Sequence, residues 1–249
     1  TPHWIHFGAG NIFRAFQANV MQELLNKGIM DTGLLVAEGF DYEIIEKMNR
    51  PHDDLSILVT LKADGSIEKT VVGSIAESLI LDSHRETELA SFTITEKGYR
   101  LANGKGELLP AVSADFVNGP SRCESYIGKV ASLLYYRYLH DKLPIAMVSM
   151  DNCSHNGDQL YASIHSFAEQ WTKNNLVRDG FLRYIENPSL VSFPLTMIDK
   201  ITPRPDPKVE QLLLKDEISG LSPVITQKNT YVAPFVNAEE CQYLIIEDL

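Results

Sequence analysis

The sequence predicts an α/β fold, a doubly wound and mostly parallel sheet with an antiparallel hairpin insert. Three observations carry that expectation. The apolar run Trp4-Ile5-His6-Phe7 empties into Gly8-Ala9-Gly10 and continues as a helical pattern. A second apolar run, Leu34 to Ala37, follows that helix and ends among acidic residues. A third, Pro144 to Ser149, is apolar without interruption, as a strand buried on both faces requires.

The opening strand, glycine turn and helix form the order in which a dinucleotide-binding domain begins. Gly8 permits a tight bend, and Gly10 leaves no side chain between the main chain and a pyrophosphate resting on Ala9, Asn11, Ile12 and Phe13. The third position of the Gly-x-Gly-x-x-Gly fingerprint is Phe13, so a glycine-rich turn without a ligand is the competing reading. Ile12, Phe13, Phe16, Val20, Met21 and Leu24 recur at helical spacing, which predicts one helix from Ile12 to Lys27 with Gly28 as its stop.

The strand Leu34–Ala37 leads to Glu38, Gly39 and Asp41, then to a helical stretch from Tyr42 to Asn49. A carboxylate at that place binds adenosine ribose hydroxyls and repels a 2′-phosphate, which favours NAD over NADP. Glu38 and Asp41 are equal candidates, and Asp41 also suits the cap of the following helix. Residues 55 to 75 alternate through Leu55, Ile57, Val59 and Leu61, turn at Asp64-Gly65, and resume at Ile67 and Val71-Val72, a hairpin pattern. Ser91 to Thr95 reads as a strand followed by the turn Glu96-Lys97-Gly98-Tyr99. The polar stretch Asp82–Ala90 before it is short for a parallel crossover, which takes a dozen residues or more, so the crossover is cramped or residues are missing from it.

Residues 100 to 122 are rich in Gly, Asn, Pro and Ser and read as a loop able to bend over a ligand. Ser125 to Leu139 is a helix, and the strand Pro144–Ser149 empties into Ser149-Met150-Asp151-Asn152-Cys153-Ser154-His155-Asn156-Gly157. Polar groups at the carboxyl end of a buried strand occupy the edge where open α/β sheets bind ligands. Ser154 or Asn156 also suits the cap of a helix from Gln159 to Lys173. Prolines between 194 and 207 make Met197–Pro205 a stiff connector, Lys208–Lys215 is a short helix, and Thr230–Phe235 is extended. The apolar run Cys241–Ile246 is expected to pack on something.

A chain of 249 residues with 44% hydrophobic content can hold one large α/β domain with a full core. Its net charge of -11, with no Lys/Arg run interleaved with aromatics, argues against a nucleic-acid surface. No apolar run reaches the roughly 18 residues of a membrane helix, and Thr1-Pro2-His3 opens no basic-then-apolar signal, so a cytoplasmic protein without a membrane partner is expected. Cys123, Cys153 and Cys241 form no Cys-x-x-Cys pair, which predicts reduced thiols and no zinc knuckle. His3, His6, His155 and His165 read as packed or surface histidines.

Taken together, His6-Phe7-Gly8-Ala9-Gly10-Asn11-Ile12, Thr93-Ile94-Thr95-Glu96-Lys97-Gly98-Tyr99, Ser149-Met150-Asp151-Asn152 with Asn156-Gly157, and Met197-Ile198-Asp199-Lys200-Ile201-Thr202-Pro203 resemble the polyol-specific long-chain dehydrogenases, the mannitol dehydrogenase and mannonate oxidoreductase (fructuronate reductase) group. The resemblance implies a Rossmann-type NAD-binding domain over residues 1–249, no metal, and interconversion of a secondary alcohol and a ketone on an open-chain polyol or sugar acid. It also implies cofactor contacts at Thr95 and Asp151. In that family the serine-x-aspartate-asparagine motif places an asparagine beside the reacting oxygen, here Asn152, whose amide can steady developing charge. The family's second motif puts an aspartate at Asp199, followed here by Lys200 where arginine is usual, which removes a bidentate contact.

The family's general base is a lysine in a Lys-x4-Asn-x2-His helix of a C-terminal helical domain, and no such motif occurs in this chain. The chain is therefore expected to be the N-terminal half of a longer enzyme, inactive alone and partnered by the missing domain. Two alternatives are a mannitol-1-phosphate dehydrogenase-like enzyme and a non-catalytic dinucleotide-sensing module.

Overall fold

A computed structural model of the chain describes residues 1–81 and 89–248. The short polar stretch Asp82–Ala90 lies for the most part outside them. In chain order the first elements are β1 (Trp4–Phe7), α1 (Asn11–Ala15), α2 (Gln17–Asn26), β2 (Leu34–Glu38), β3 (Ser56–Leu61), β4 (Ile67–Val72) and β5 (Ile75–Ile80). Next come β6 (Leu89–Phe92), α3 (Thr95–Gly98), α4 (Pro110–Asn118), α5 (Tyr126–Leu139), β7 (Ile145–Ser149), α6 (Asn156–Lys173), α7 (Phe181–Ile185) and β8 (Val191–Ser192). The last are β9 (Thr196–Asp199), α8 (Pro207–Lys215), β10 (Val224–Ile225), β11 (Tyr231–Val232), β12 (Phe235–Glu239) and β13 (Tyr243–Ile246).

The chain divides into two compact units, Thr1–Leu81 with Ile198–Leu244, and Asp82–Met197 with Ile245–Leu249. In the first unit β1, β2 and β5 run parallel, with Ile5 opposite Leu35, Phe7 opposite Ala37, and Val36 opposite Ser78. Both β1 and β2 are buried along their whole length, which explains why they are apolar but for His6 and the terminal Glu38. The hairpin read from residues 55 to 75 forms as β3 and β4, antiparallel from Ser56–Val72 to Leu61–Ile67. Two features escaped the alternation. Ile75–Ile80 is a further parallel strand beside β2, and β12 pairs with β3 in parallel, Phe235 opposite Ile57. Val59, Leu213, Ala233 and Phe235 close the core beneath that second sheet, and α8, expected as a short helix over Lys208–Lys215, packs into it and is capped by Asp206.

In the second unit β6, β7 and β8 are parallel, with Ser91 opposite Val148 and Ile145 opposite Val191. Helix α5 starts at the Ser125 cap, whose hydroxyl accepts the Gly128 N–H. Helix α6 buries Leu160, Ile164, Phe167 and Trp171 at helical spacing.

Several boundaries moved. The helix expected from Ile12 to Lys27 is broken at Phe16, where φ is -120° and ψ -75°, although Val20 N–H still bonds the Phe16 carbonyl. The loop expected over 100–122 contains α4, which Pro110 opens at the first turn, where a missing N–H costs nothing, and which buries Val112 and Asp115. The strand expected to run to Thr95 ends at Phe92; the N–H groups of Ile94 and Thr95 go to the Asp151 carboxylate, and Thr95 lies in the left-handed region at φ 62°. Helix α6 begins at Asn156 rather than Gln159, and neither Ser154 nor Asn156 is its cap; His155, at φ 53°, precedes it. The run Cys241–Ile246 forms β13 but leaves Tyr243, Ile245 and Ile246 more than a third exposed.

Candidate functional site

At the end of β1 the backbone turns at Gly8, whose φ of 113° is one that side chains rarely adopt, while its N–H bonds the Ala37 carbonyl at 2.9 Å. Gly10 opens α1 in extended geometry (φ -73°, ψ -171°), and a Cβ built there would meet nothing within 4 Å. The main chain at Gly10 is therefore open to an incoming group, and the first N–H groups of α1, from Asn11 and Ile12, have no intrahelical partner.

Phe13 at the third fingerprint position is explained by His6. Both side chains are fully buried, and their rings stack at 4.7 Å with 14° between planes. A small residue normally lets helix and strand approach there; this chain fills the same gap with two flat rings. Burial pushes the His6 imidazole down to about 3, so it is neutral at physiological pH. It is packing, as its pattern indicates.

Glu38 is 5% exposed and has its carboxylate committed to backbone. Oε2 accepts the Ala9 N–H at 2.9 Å, and Oε1 accepts Phe40 at 2.8 Å and Asp41 at 3.1 Å. Three of the roughly four acceptor positions of a carboxylate are thereby filled. Asp41 is buried, accepts the Thr226 hydroxyl at 2.5 Å, and does not cap the following helix, whose turn begins instead with Ile44 N–H on the Asp41 carbonyl. Glu38 thus joins the glycine turn to the loop after β2, and Asp41 joins that loop to the β10–β11 hairpin.

Arg14, one turn into α1, was not singled out by its sequence context. It is 2% exposed, and burial pushes its guanidinium down to about 10. Nη1 donates to the Ala233 carbonyl at 2.5 Å and Nη2 to Asn11 Oδ1 at 2.7 Å. No local pattern marks it, because its acceptor lies more than two hundred residues away.

In the second unit, the end of β7 brings Thr95, Tyr99, Ser149 and Asp151 together. Asp151 accepts the N–H groups of Ile94 and Thr95, both at 2.9 Å, and the Tyr99 hydroxyl at 2.5 Å. Tyr99 also meets the Ser149 hydroxyl at 2.8 Å. Burial raises the Asp151 carboxyl, partly countered by those three donors, and burial beside Asp151 carries the Tyr99 phenol well above its usual range. Asn156 Nδ2 donates to the Thr196 hydroxyl at 2.7 Å and its Oδ1 accepts the Thr196 N–H, so it binds a neighbouring strand. Asn152 is exposed, with its amide unbonded among the described residues. A cavity of about 460 Å³ between Leu143–Ala146 and Pro188–Ser192 lies at the opposite end of β7 and contains none of these residues.

Asp199, at the end of β9 in the first unit, is half-buried and, among the described residues, makes no ion pair with Lys200 or Arg204. Lys200 turns away from it and donates to the Glu239 carbonyl at 2.5 Å; burial lowers its ammonium. Cys123, Cys153 and Cys241 are free thiols, and among the described residues no cluster of His, Cys, Asp and Glu could hold a metal ion. No described helix is long and apolar enough to cross a membrane.

Parallel strands, an open glycine turn and a buried acid at the end of β2 define a Rossmann-type α/β domain. The chain belongs to the mannitol dehydrogenase family: a profile described as mannitol dehydrogenase Rossmann domain matches residues 2–248. Over 99% of its length it is 47% identical to D-mannonate oxidoreductase of Thermotoga maritima, of which it covers 48%. Mannitol 2-dehydrogenase of Pyrenophora tritici-repentis is 29% identical over 90% of this chain and 41% of that protein. Among solved structures, Pseudomonas fluorescens mannitol 2-dehydrogenase in ternary complex with NAD and D-mannitol superposes with a TM-score of 0.78 at 25% identity, over 100% of this chain and 49% of that one. Substrate-free D-sorbitol dehydrogenase gives 0.78 at 24% identity, covering 100% of this chain and 50% of the other, and shares the fold. The chain spans about half the length of the relatives it matches.

Proposed function

We propose that this chain is the cofactor-binding half of an NAD-dependent dehydrogenase that interconverts a secondary alcohol and a ketone on a sugar acid of the mannonate type. The observation that carries the reading is the glycine turn: Gly8 sits at a φ of 113° and Gly10 has open space where a Cβ would stand, so an anion can reach the main chain. Glu38 supports NAD over NADP, since its carboxylate is fixed by three N–H groups and keeps one acceptor site for a ribose hydroxyl while repelling a 2′-phosphate. The sugar-acid preference rests on the 47% identity to D-mannonate oxidoreductase, against 29% to mannitol 2-dehydrogenase.

A bound NAD would supply the hydride acceptor for the substrate carbon. The chain's own contributions are positional. Within the turn Gly8–Phe13 the N–H groups of Gly8 and Ala9 are already used and Phe13 is packed on His6, so the main chain at Gly10, Asn11 and Ile12 would hold the pyrophosphate, with Glu38 and Asp41 on the adenosine side. Asp151 fixes the peptide that carries Thr95, and the exposed Asn152 amide donates to the reacting oxygen as charge develops on it. Asp199 binds a substrate hydroxyl. The proton leaves to a base in the domain expected beyond this chain.

The test is the full-length protein assayed with mannonate, fructuronate and mannitol, following NADH absorbance. Oxidation of mannonate with NAD is expected, and activity on mannitol alone would overturn the sugar-acid preference. Asn152→Ala should lower kcat about a hundredfold while leaving the NAD dissociation constant nearly unchanged. An unaltered kcat would remove Asn152 from the reaction.

A further inference from the structure

The pair Asn156-Gly157 stands out in the sequence but is not the cap of α6, which begins at Asn156 after His155. Asn156 is 2% exposed, and both polar atoms of its side chain are used within the second unit. Nδ2 donates to the Asp151 carbonyl at 3.1 Å and to Thr196, at 2.7 Å on the hydroxyl and 3.1 Å on the carbonyl. Oδ1 accepts the N–H groups of Gly157 at 2.8 Å and Thr196 at 3.1 Å. The Thr196 hydroxyl in turn donates to the Ser149 carbonyl at 2.6 Å, so one buried amide and one hydroxyl fasten both ends of the segment Ser149–Asp151 to the start of β9. Gly157 makes the arrangement possible. A Cβ there would stand 2.6 Å from the carbonyl oxygens of Phe193 and Pro194, so only glycine lets the first turn of α6 lie against that backbone.

The Asp151 carbonyl belongs to the planar peptide whose N–H side is Asn152. Fixing that carbonyl fixes the plane, and with it the direction in which Asn152 leaves the loop. The Asp151 carboxylate is held independently, by Ile94, Thr95 and Tyr99. Asp151 is therefore anchored through both side chain and main chain, while the next residue, Asn152, is exposed with its amide unbonded among the described residues. A loop fastened this closely around one unbonded donor suits a hydrogen bond that must be aimed at an oxygen, since a displacement of about 1 Å can cost about a hundredfold in rate.

We propose that Asn156 is a positioning residue for the reaction, acting through the Asp151–Asn152 peptide to aim the Asn152 amide. The proposal rests on the assignment of Asn152 to the reacting oxygen. It is tested in the full-length protein by a double-mutant cycle of Asn156→Ala and Asn152→Ala, measuring kcat and KM with mannonate and the NAD dissociation constant. Asn156→Ala alone should lower kcat about tenfold, with NAD affinity within about twofold of the unmutated protein. In the Asn152→Ala background the same change should lower kcat by less than about twofold, because the amide that it aims is gone. Thr196→Val, which keeps the branched shape and removes only the hydroxyl, should show the same pattern at about threefold, and it carries the test if Asn156→Ala does not fold. An undiminished loss in the Asn152→Ala background would overturn the proposal, since Asn156 would then support the loop without acting through Asn152. So would a kcat within about twofold of the unmutated value in both Asn156→Ala and Thr196→Val. Asn152→Ala with an unaltered kcat would remove the assignment on which the proposal rests, and the proposal with it; that variant is read first.

Discussion

The ends of β2 and β7 carry the same device with opposite backbone consequences. Glu38 and Asp151 each hold a neighbouring turn by accepting its N–H groups, and each turn has a buried ring kept neutral by burial: His6, stacked on Phe13 of the first, and Tyr99, bonded to Asp151 at the second. At the first turn the positive φ falls on Gly8, where it costs nothing. At the second it falls on Thr95, a β-branched residue for which φ 62° is a true outlier. A carboxylate clamp can therefore serve a relaxed turn or maintain a strained one.

Removing the clamp from the relaxed turn should have the largest effect. Glu38→Ala leaves three N–H groups without their acceptor, two of them buried with it, and is expected to cost about 3 kcal/mol in urea unfolding, with Glu38→Gln recovering part. A cost under about 1 kcal/mol would mean that water replaces the carboxylate and that the two clamps differ in kind.

The buried rings separate next, by pH. His6 is held near 3 in the folded chain against 6.5 in the unfolded one, so the unfolded state takes up the proton first. Its contribution to stability is whole above pH 6.5 and is lost as pH falls toward 3, at about 1.4 kcal/mol per unit. His6→Phe, which retains a ring against Phe13, should flatten the unfolding free energy by about 2 kcal/mol between pH 6.5 and 5 relative to the unmutated protein. An unchanged slope would show that other groups govern the acid limb.

The two positive-φ positions give the sharpest contrast and the smaller effects. Gly8→Ala should destabilise by about 1–3 kcal/mol and weaken NAD binding, because alanine resists φ 113°. Thr95→Gly should do the reverse for stability, raising it by about 1 kcal/mol in the same unfolding assay as the strain is relieved. If Thr95→Gly destabilises, the side chain contributes more by packing than its backbone loses.

Much of the first unit was legible because its signals are local. Apolar β1 and β2, the glycines between them and an acid at the end of β2 are adjacent in sequence, and each is demanded by a rule of short range. The hairpin β3–β4 was equally visible from alternation about Asp64-Gly65. Phe13 looked like a flaw in the fingerprint because its stacking partner, His6, sits on another element. Helix α4 was hidden by loop-forming residues around it, and only burial of Val112 and Asp115 reveals its inner face. Asp151 stood out in sequence as a polar group at the end of a buried strand, but its partners at Ile94, Thr95 and Tyr99 lie more than fifty residues away.

By itself the sequence determined the opening strands, the glycine turn, the hairpin, the acid at the end of β2 and the family to which they point, since backbone preference and hydrophobic period act within a few residues. Only the tertiary structure decided what those groups bind. Glu38 closes on Ala9, Arg14 reaches Ala233 and Thr226 grips Asp41 because buried donors and acceptors must find partners wherever the fold brings them, and no local pattern records that distance.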